Sequence, residues 1–450
     1  MAVPTALIQS LQTATGFQQE AFEAVHASGE QIVSIRLNPA KPIELSHLPI
    51  SDNVKWCENG RYLAERPFFT FDPFLHAGAY YVQEASSMFL WQAIQQTVPI
   101  TAGKKVLDLC AAPGGKSTLL ASYFTDGLVV ANEVIKNRAN ILVENCSKWG
   151  GGNLIVTNND PSHFQSLPNF FDLLMIDAPC SGSGLFRKDP DAIQEWSEAN
   201  VALCCQRQQR ILADALPCLA EEGILIYSTC SYSQEEDESI CDWLLEEMDM
   251  ESIPLKIEKD WGIVETHATV HGAAGYRFYP DQIKGEGFFL ACFRKKTGSF
   301  STKIKLKALP TTSKAQVQIL QSHILLPENL SFFDQNESIR AIETQWLGHL
   351  SSLASHLYIK KAGVEIASLK GKDLVPAHEL ALSGWILGGY PSIELDVEHA
   401  LLYLKRKEYR VEGQNGWNLM RYGGQPLGWA KILPNRINNY YPAEWRILKE

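Results

Sequence analysis

The sequence predicts an α/β protein built on a doubly wound, mostly parallel, seven-stranded Rossmann-like sheet, with an N-terminal α+β domain before it and a β-rich module at the C-terminus. Three observations carry this. From Lys104 onward, short apolar runs alternate strictly with helical periodicity. The turn after the first run, Cys110-Ala-Ala-Pro-Gly-Gly-Lys116, consists of small residues, as suits a loop whose backbone approaches a ligand. Two later apolar runs each end in polar residues and a cysteine, at the strand ends where open α/β sheets place their sites.

Residues 1–100 open with helical patterns over Thr5–Gln12 and Thr15–Ala27, followed by an alternating strand over Gln31–Arg36. A loop of small and aromatic residues, Phe74–Ser87, leads into a helix over Ser86–Gln96. Arg36, His76, Tyr80 and Tyr81 are this domain's candidates for meeting a substrate, against the plainer reading of an ordinary capping domain.

Residues 101–297 form the central domain, with strands at Val106–Leu109, Leu128–Glu133, Leu154–Thr157, Asp172–Cys180 and Gly223–Cys230. The helices between them are expected at Ser117–Phe124, Lys136–Trp149 and Ala192–Leu219, with a further helix over Gln234–Glu247 and a late strand at Gly287–Phe293. Residues 298–375 begin in a basic, Thr/Ser-rich linker spanning Lys295–Lys314 and continue with mixed helix and strand signals. Residues 376–450 are the β-rich module, punctuated by Gly388-Gly389 and Gly423-Gly424.

The bulk composition is globular: 45% hydrophobic and 20% charged among 450 residues. No secretory leader and no apolar run of roughly 18 residues is evident, so a cytoplasmic protein that does not enter the membrane is expected. Ten cysteines are scattered without a Cys-x-x-Cys pair, which argues against a metal site and for mostly inert core thiols. The net charge of −11 is uneven, since residues 301–450 balance to +4 and residues 1–300 to −15. Overall charge thus weighs against a polyanionic partner, but basic clusters such as Lys303, Lys305, Lys307, Lys405, Arg406, Lys407 and Arg410 keep one open.

Three carboxylates, Glu133, Asp160 and Asp177, follow the second, third and fourth strands. A carboxylate there accepts hydrogen bonds from a ribose diol and repels phosphate. The loop also lacks Gly-x-Gly-x-x-Gly and the Gly-x-x-x-x-Gly-Lys spacing of a phosphate cradle. An adenosyl ligand without phosphates fits, namely S-adenosylmethionine.

The cysteines then select among methyl-transfer chemistries. Carbon 5 of cytosine is a poor nucleophile until a thiolate adds to carbon 6, and a second thiol nearby assists expulsion of the first after transfer. The fourth-strand loop reads Asp177-Ala-Pro-Cys180 and not the Asn/Asp-Pro-Pro-Tyr of an exocyclic-amine enzyme, and neither strand end supplies the lysine base of a 2′-hydroxyl enzyme. Spacing alone allows either order of roles for Cys180 and Cys230.

At Asp108-Leu-Cys-Ala-Ala-Pro-Gly-Gly-Lys-Ser117, Asp177-Ala-Pro-Cys-Ser-Gly-Ser-Gly184, Ser228-Thr-Cys-Ser231 and Tyr81-Val-Gln-Glu-Ala-Ser-Ser87 the sequence resembles the Nol/Nop/Sun-type RNA cytosine carbon-5 methyltransferases. Its tail, Gly423–Lys431 and Asn435–Pro442, resembles the PUA-like RNA-binding module of the bacterial 16S rRNA enzymes of the RsmF type. The resemblance implies a nucleophilic Cys230, a release-assisting Cys180, and cofactor contacts at Cys110, Ala111, Ala112, Pro113, Gly114, Gly115, Lys116, Glu133, Asp160 and Asp177. Arg138 joins them as a further contact, and Asp177 as one to the target base as well. It also implies that the protein meets 16S rRNA or the small ribosomal subunit, and a monomer is expected. The rival readings are a tRNA methyltransferase on the same fold and a non-catalytic ribosome-assembly factor.

Overall fold

The computed structural model describes residues 3–297, 308–371 and 373–449. Lys303, Lys305 and Lys307 of the linker lie outside the described residues. The central sheet comprises β1 (Lys105–Asp108), β2 (Leu128–Asn132), β3 (Leu154–Thr157), β4 (Phe171–Asp177), β5 (Leu219–Thr229), β6 (Met250–Ser252), β7 (Val264–His267), β8 (Ala274–Phe278), β9 (Phe288–Lys295) and β10 (Ile359–Ala362). Their order is β7-β8-β9-β5-β4-β1-β2-β3-β10, with β6 paired to β9. Strands β3, β2, β1, β4 and β5 run parallel, which requires buried crossovers and explains why they read as continuous apolar runs. The order reverses between β1 and β4, opening a crevice at the carboxyl ends of those strands.

Among the described residues the sheet therefore has ten strands in place of the seven expected. β6 and β7 are only three and four residues long, too short for a clear alternating run, and β8 is buried throughout. β10 comes from the segment assigned to the intermediate region and pairs antiparallel with β3. The helix expected over Ala192–Leu219 is also divided. It stops at Glu195, Trp196 is extended, and Ser197 caps a new helix, Glu198–Ala215, by accepting from the Asn200 N–H at 3.1 Å.

The N-terminal region is bound to this body in two ways. Its first helices, Thr5–Leu11 and Gln19–Ala27, bury Leu7, Leu11 and Phe22 against Phe186, Trp196, Tyr232 and Tyr279. Its four-stranded sheet carries Arg36 inward. Nε of Arg36 donates to Gln83 Oε1 (2.8 Å) and Nη2 to Thr118 Oγ1 (2.6 Å), while the guanidinium lies 4.3 Å from the Trp149 ring centroid. Arg36 is thus a strut. His76 and Tyr80 are buried as well: His76 pairs with Tyr441 Oη (3.2 Å) and Thr70 O (2.9 Å), and Tyr80 donates to Asp72 (2.6 Å). Of the four substrate candidates in this domain, only Tyr81 lines the central cavity.

Beyond the linker, a four-stranded sheet over 330–376 holds a buried ion cluster in which Glu379 binds Arg340 (2.8 Å) and Lys361 of β10 (3.0 Å). A last four-stranded sheet spans Ser392–Glu394, Gly416–Tyr422, Gln425–Leu433 and Arg436–Asn439. It touches the N-terminal domain where the Phe74 and Tyr422 rings meet at 4.9 Å. Among the described residues no helix is long and apolar enough to cross a membrane.

Candidate active site

A cavity of about 780 Å³ occupies the crevice at the carboxyl ends of β1, β2, β4 and β5. That volume suits a small-molecule ligand together with a nucleobase. Its walls include Cys110, Ala111, Ala112, Pro113, Gly115, Lys116, Glu133, Arg138, Asp160, Asp177, Cys180 and Cys230, so the structure collects twelve of the thirteen expected site residues. Gly114 is the exception. With φ at +118° it caps the helix Gly115–Tyr123 in a conformation that favours glycine, and a Cβ there would point toward Leu142 and Asn145, away from the cavity.

One half of the cavity presents carboxylates with spare acceptor capacity. Glu133, at the end of β2, accepts the Ile135 N–H at 2.8 Å through Oε1, and Oε2 meets Arg138 only at 3.6 Å. Arg138 also donates to the Ala112 carbonyl (2.8 Å) and thereby anchors the glycine loop. Asp160 accepts from Ser162 N (3.0 Å) and Oγ (2.7 Å) through the same oxygen, which leaves Oδ2 without a partner among the described residues. Val134 and Ile135, exposed by 55% and 51%, follow Glu133 on the same wall. Carboxylates for ribose hydroxyls beside apolar surface for a purine ring fit S-adenosylmethionine.

The position of Asp160 is set from far away in the chain. Asn159 turns its side-chain amide onto the backbone of Tyr358, accepting its N–H at 2.9 Å and donating to its carbonyl at 3.0 Å. The Asn158 N–H reaches the same carbonyl at 3.2 Å. β10 thus continues its pairing past the end of β3, and Asn132 clasps the Asn159 backbone from the other side.

Two ion-paired residues divide the halves. Lys116 Nζ lies 2.8 Å from Asp177 Oδ2, while Asp177 Oδ1 accepts from Ser228 Oγ at 2.7 Å. Burial works against the Lys116 ammonium, but neighbouring Asp177, Asp108 and Cys230 raise its pKa above the ordinary value. Buried Asp108 behaves oppositely for a carboxyl: burial lifts it to about 7 against the hydrogen bond from Ser117.

The other half holds the thiols. Cys180 Sγ and Cys230 Sγ stand 3.1 Å apart, close enough for one to donate to the other, although they leave different strands. The Cys180 thiol is pushed well above its usual range by that hydrogen bond, by burial, and by the negative charge of nearby Cys230 and Glu236. Close backbone packing accompanies them. Gly184 N–H donates to the Cys230 carbonyl at 2.9 Å, and a Cβ on Gly184 would sit 2.8 Å from that oxygen. Six of the ten cysteines are buried, in keeping with inert core thiols elsewhere.

Sequence reasoning missed what surrounds the thiols. Buried Glu236 accepts from Ser181 and Ser231, the residues after each cysteine, and Asp237 accepts from Thr229 Oγ1 at 2.6 Å. Arg277 pairs with Asp237 (3.1 Å) and with Glu238. The only signal was the acidic run Glu235–Glu238 just after Ser228-Thr-Cys-Ser231, which reads equally as a solvated helix start. Lys188, Arg207 and Arg210 also line the cavity, exposed and with no side-chain ion pair or hydrogen bond among the described residues. In the C-terminal module a groove of about 1460 Å³ is lined by Arg406, Lys407, Arg410 and Arg436; Lys405 instead packs over the Phe71 ring at 5.0 Å. Among the described residues no cluster of three or more His, Cys, Asp and Glu is arranged to hold a metal.

A parallel sheet reversing between β1 and β4, with a glycine loop and acidic strand ends at the reversal, defines a methyltransferase of the Rossmann-like class. Comparison with known proteins agrees. The family described as 16S rRNA methyltransferase RsmB/F matches residues 96–294, the RsmF N-terminal domain residues 3–85, and the methyltransferase RsmF PUA domain residues 390–447. Ribosomal RNA small subunit methyltransferase F of Vibrio cholerae serotype O1 (strain M66-2) is 30% identical over 411 residues, covering 87% of this chain and 85% of that protein. Its counterpart in Aeromonas salmonicida (strain A449) is 30% identical over 407 residues, with 87% and 85% covered. A solved methyltransferase homolog protein from Pyrococcus horikoshii is 29% identical with a TM-score of 0.51, covering 65% of this chain and all (100%) of that one. NSun6 from the same organism, solved with SFG, shares the fold at 18% identity and a TM-score of 0.55, covering 66% of this chain and 99% of that one. The chain belongs to the ribosomal RNA small subunit methyltransferase F family.

Proposed function

We propose that this protein, acting as a monomer in the cytoplasm, methylates carbon 5 of a cytosine in 16S rRNA through a covalent adduct with Cys230, and that Cys180 assists release. The observation that carries this reading is the 3.1 Å approach of two thiols from separate strand ends inside one cavity with the acidic cofactor wall. Inert structural cysteines have no reason to converge there.

In this reading Cys230 acts as thiolate and adds to carbon 6 of the ring, making carbon 5 nucleophilic. Lys116, ion-paired with Asp177, lines the same cavity as Cys230. Bound S-adenosylmethionine supplies the electrophilic methyl group. Glu133 and Asp160 hold the ligand's polar groups. Asp177, held by Ser228 and Lys116, lies between the two halves and faces the target base. Cys180, held as a neutral thiol 3.1 Å from Cys230, can hand its proton to the departing Cys230 sulfur as the carbon-6–sulfur bond breaks and, as the thiolate so formed, take the carbon-5 proton, which leaves both thiols protonated. Lys188, Arg207 and Arg210 at the cavity, with Arg406, Lys407 and Arg410 in the C-terminal groove, meet RNA phosphates, while the target base is flipped out of its stack.

The test is methyl transfer from labelled S-adenosylmethionine into separated RNA pools, with nucleoside mass spectrometry of the product. Label is expected in 16S rRNA as 5-methylcytidine; label confined to tRNA, or on another atom, contradicts the proposal.

A further inference from the structure

We propose that Glu236 is the positioning residue that holds the two thiol loops in register, one carboxylate gripping the residue after each cysteine. This rests on the reading of Cys180 and Cys230 as the working thiols.

Ser181 follows Cys180 and Ser231 follows Cys230. Glu236 Oε1 accepts the Ser181 N–H at 2.8 Å, and Oε2 accepts Ser181 Oγ at 2.5 Å and Ser231 Oγ at 2.6 Å. A fourth donor, Gln208 Nε2, reaches Oε1 at 3.3 Å and also donates to the Pro179 carbonyl at 3.2 Å. Cys180 is therefore bracketed on both sides, by Gln208 through Pro179 and by Glu236 through Ser181. Cys230 is bracketed likewise, by Asp237 through Thr229 and by Glu236 through Ser231.

The residue type suits this task and no simpler one. Glu236 is fully buried, and no Lys, Arg or His pairs with it among the described residues. An unpaired buried carboxylate is costly, so a site shaped for packing alone favours an amide or an apolar side chain. A carboxylate offers acceptors only, and here its acceptor sites meet four donors. A glutamine would turn an NH₂ toward hydroxyl and amide donors and break at least part of the bridge. Glu236 also anchors itself through its backbone, its carbonyl accepting from Tyr227 Oη at 2.6 Å on β5. Burial lifts its carboxyl above the usual range while the serine donors oppose the lift.

The test compares the wild type with Glu236→Gln and Glu236→Asp in the full-length protein. Thermal melting and calorimetric binding of S-adenosylhomocysteine check that fold and cofactor half are intact. Two readouts then address register. The first is the rate at which excess oxidised glutathione converts the Cys180–Cys230 thiol pair to a disulfide, two thiols being oxidised and glutathione reduced, with the bridge mapped by mass spectrometry. The second is the split between kcat and KM for 16S rRNA.

We expect Glu236→Gln to bind S-adenosylhomocysteine within about 2-fold of wild type, to form the disulfide about 10-fold more slowly, and to lose about 10- to 100-fold in kcat at unchanged KM, as loss of sub-ångström alignment does. Glu236→Asp, which keeps the acceptors and shortens the reach, is expected in between. A folded Glu236→Gln with wild-type kcat and disulfide rate overturns the proposal. If Glu236→Gln does not fold, Glu236→Asp decides by the same two readouts. If Cys230→Ala turns over normally, the underlying reading fails, and the disulfide rate still decides the register claim.

Discussion

The two halves of the cavity spend their polar groups in opposite ways. On the cofactor side, Asp160 keeps Oδ2 free and Glu133 meets Arg138 only at a long 3.6 Å. On the thiol side, Glu236 meets four donors and Arg277 is clamped between Asp237 and Glu238. A surface that must receive a ligand leaves acceptors vacant; one that must fix two sulfur atoms saturates them. The first half gives up stability for binding, and the second is stiff because Glu236 already holds four donors and Arg277 already holds two acidic partners.

The contrast is sharpest at Arg277. Replacing it by alanine strands two buried carboxylates, and equilibrium denaturation is expected to show a loss of about 3–5 kcal/mol. Glu133→Gln, on the cofactor side, keeps an acceptor for the Ile135 N–H and is expected to cost unfolding no more than about 1 kcal/mol while weakening S-adenosylhomocysteine binding by about 10- to 100-fold, the worth of hydrogen bonds to a charged group. If both substitutions act mainly on stability, or both on binding, the division is wrong.

Away from the site, His76 and His378 supply a pH-dependent comparison. Burial holds them neutral, at about 4 and about 3, while the unfolded chain titrates near its ordinary value. Below pH ~6.5 the unfolded state binds more protons, so stability falls as pH falls through that window, by about 2 kcal/mol per histidine at pH 5. Both rings lie beside Tyr441, so Tyr441→Phe is expected to leave the acid slope largely in place, and His378→Gln to reduce it. The smallest effect is expected at Asn159→Ala. It removes the amide clamp on Tyr358 and is expected to weaken cofactor binding about 5-fold without altering RNA affinity, a loss of about 1 kcal/mol typical of one net hydrogen bond.

The cofactor half was legible in the sequence because its parts are local. The loop Cys110–Lys116 and the carboxylates at Glu133, Asp160 and Asp177 each adjoin a strand whose apolar run announces it. The thiols were legible for the same reason, but their support was not. Glu236 reaches back to Ser181 across 55 positions, and its acidic neighbours look solvated until Arg277 of β8 is seen among them. Tyr358, just before β10, reaches Asn159, next to Asp160, across 199 positions, a pairing no local pattern predicts. Arg36, His76 and Tyr80 failed as substrate contacts because a buried strut and an exposed contact share the same residue types.

The most direct test of the central claim is a denaturing gel of protein incubated with S-adenosylmethionine and 16S rRNA. Cys180→Ala is expected to accumulate a protein–RNA adduct, Cys230→Ala to transfer no methyl group, and the double variant to form no adduct. Full turnover by Cys230→Ala, or an adduct persisting in the double variant, contradicts the account.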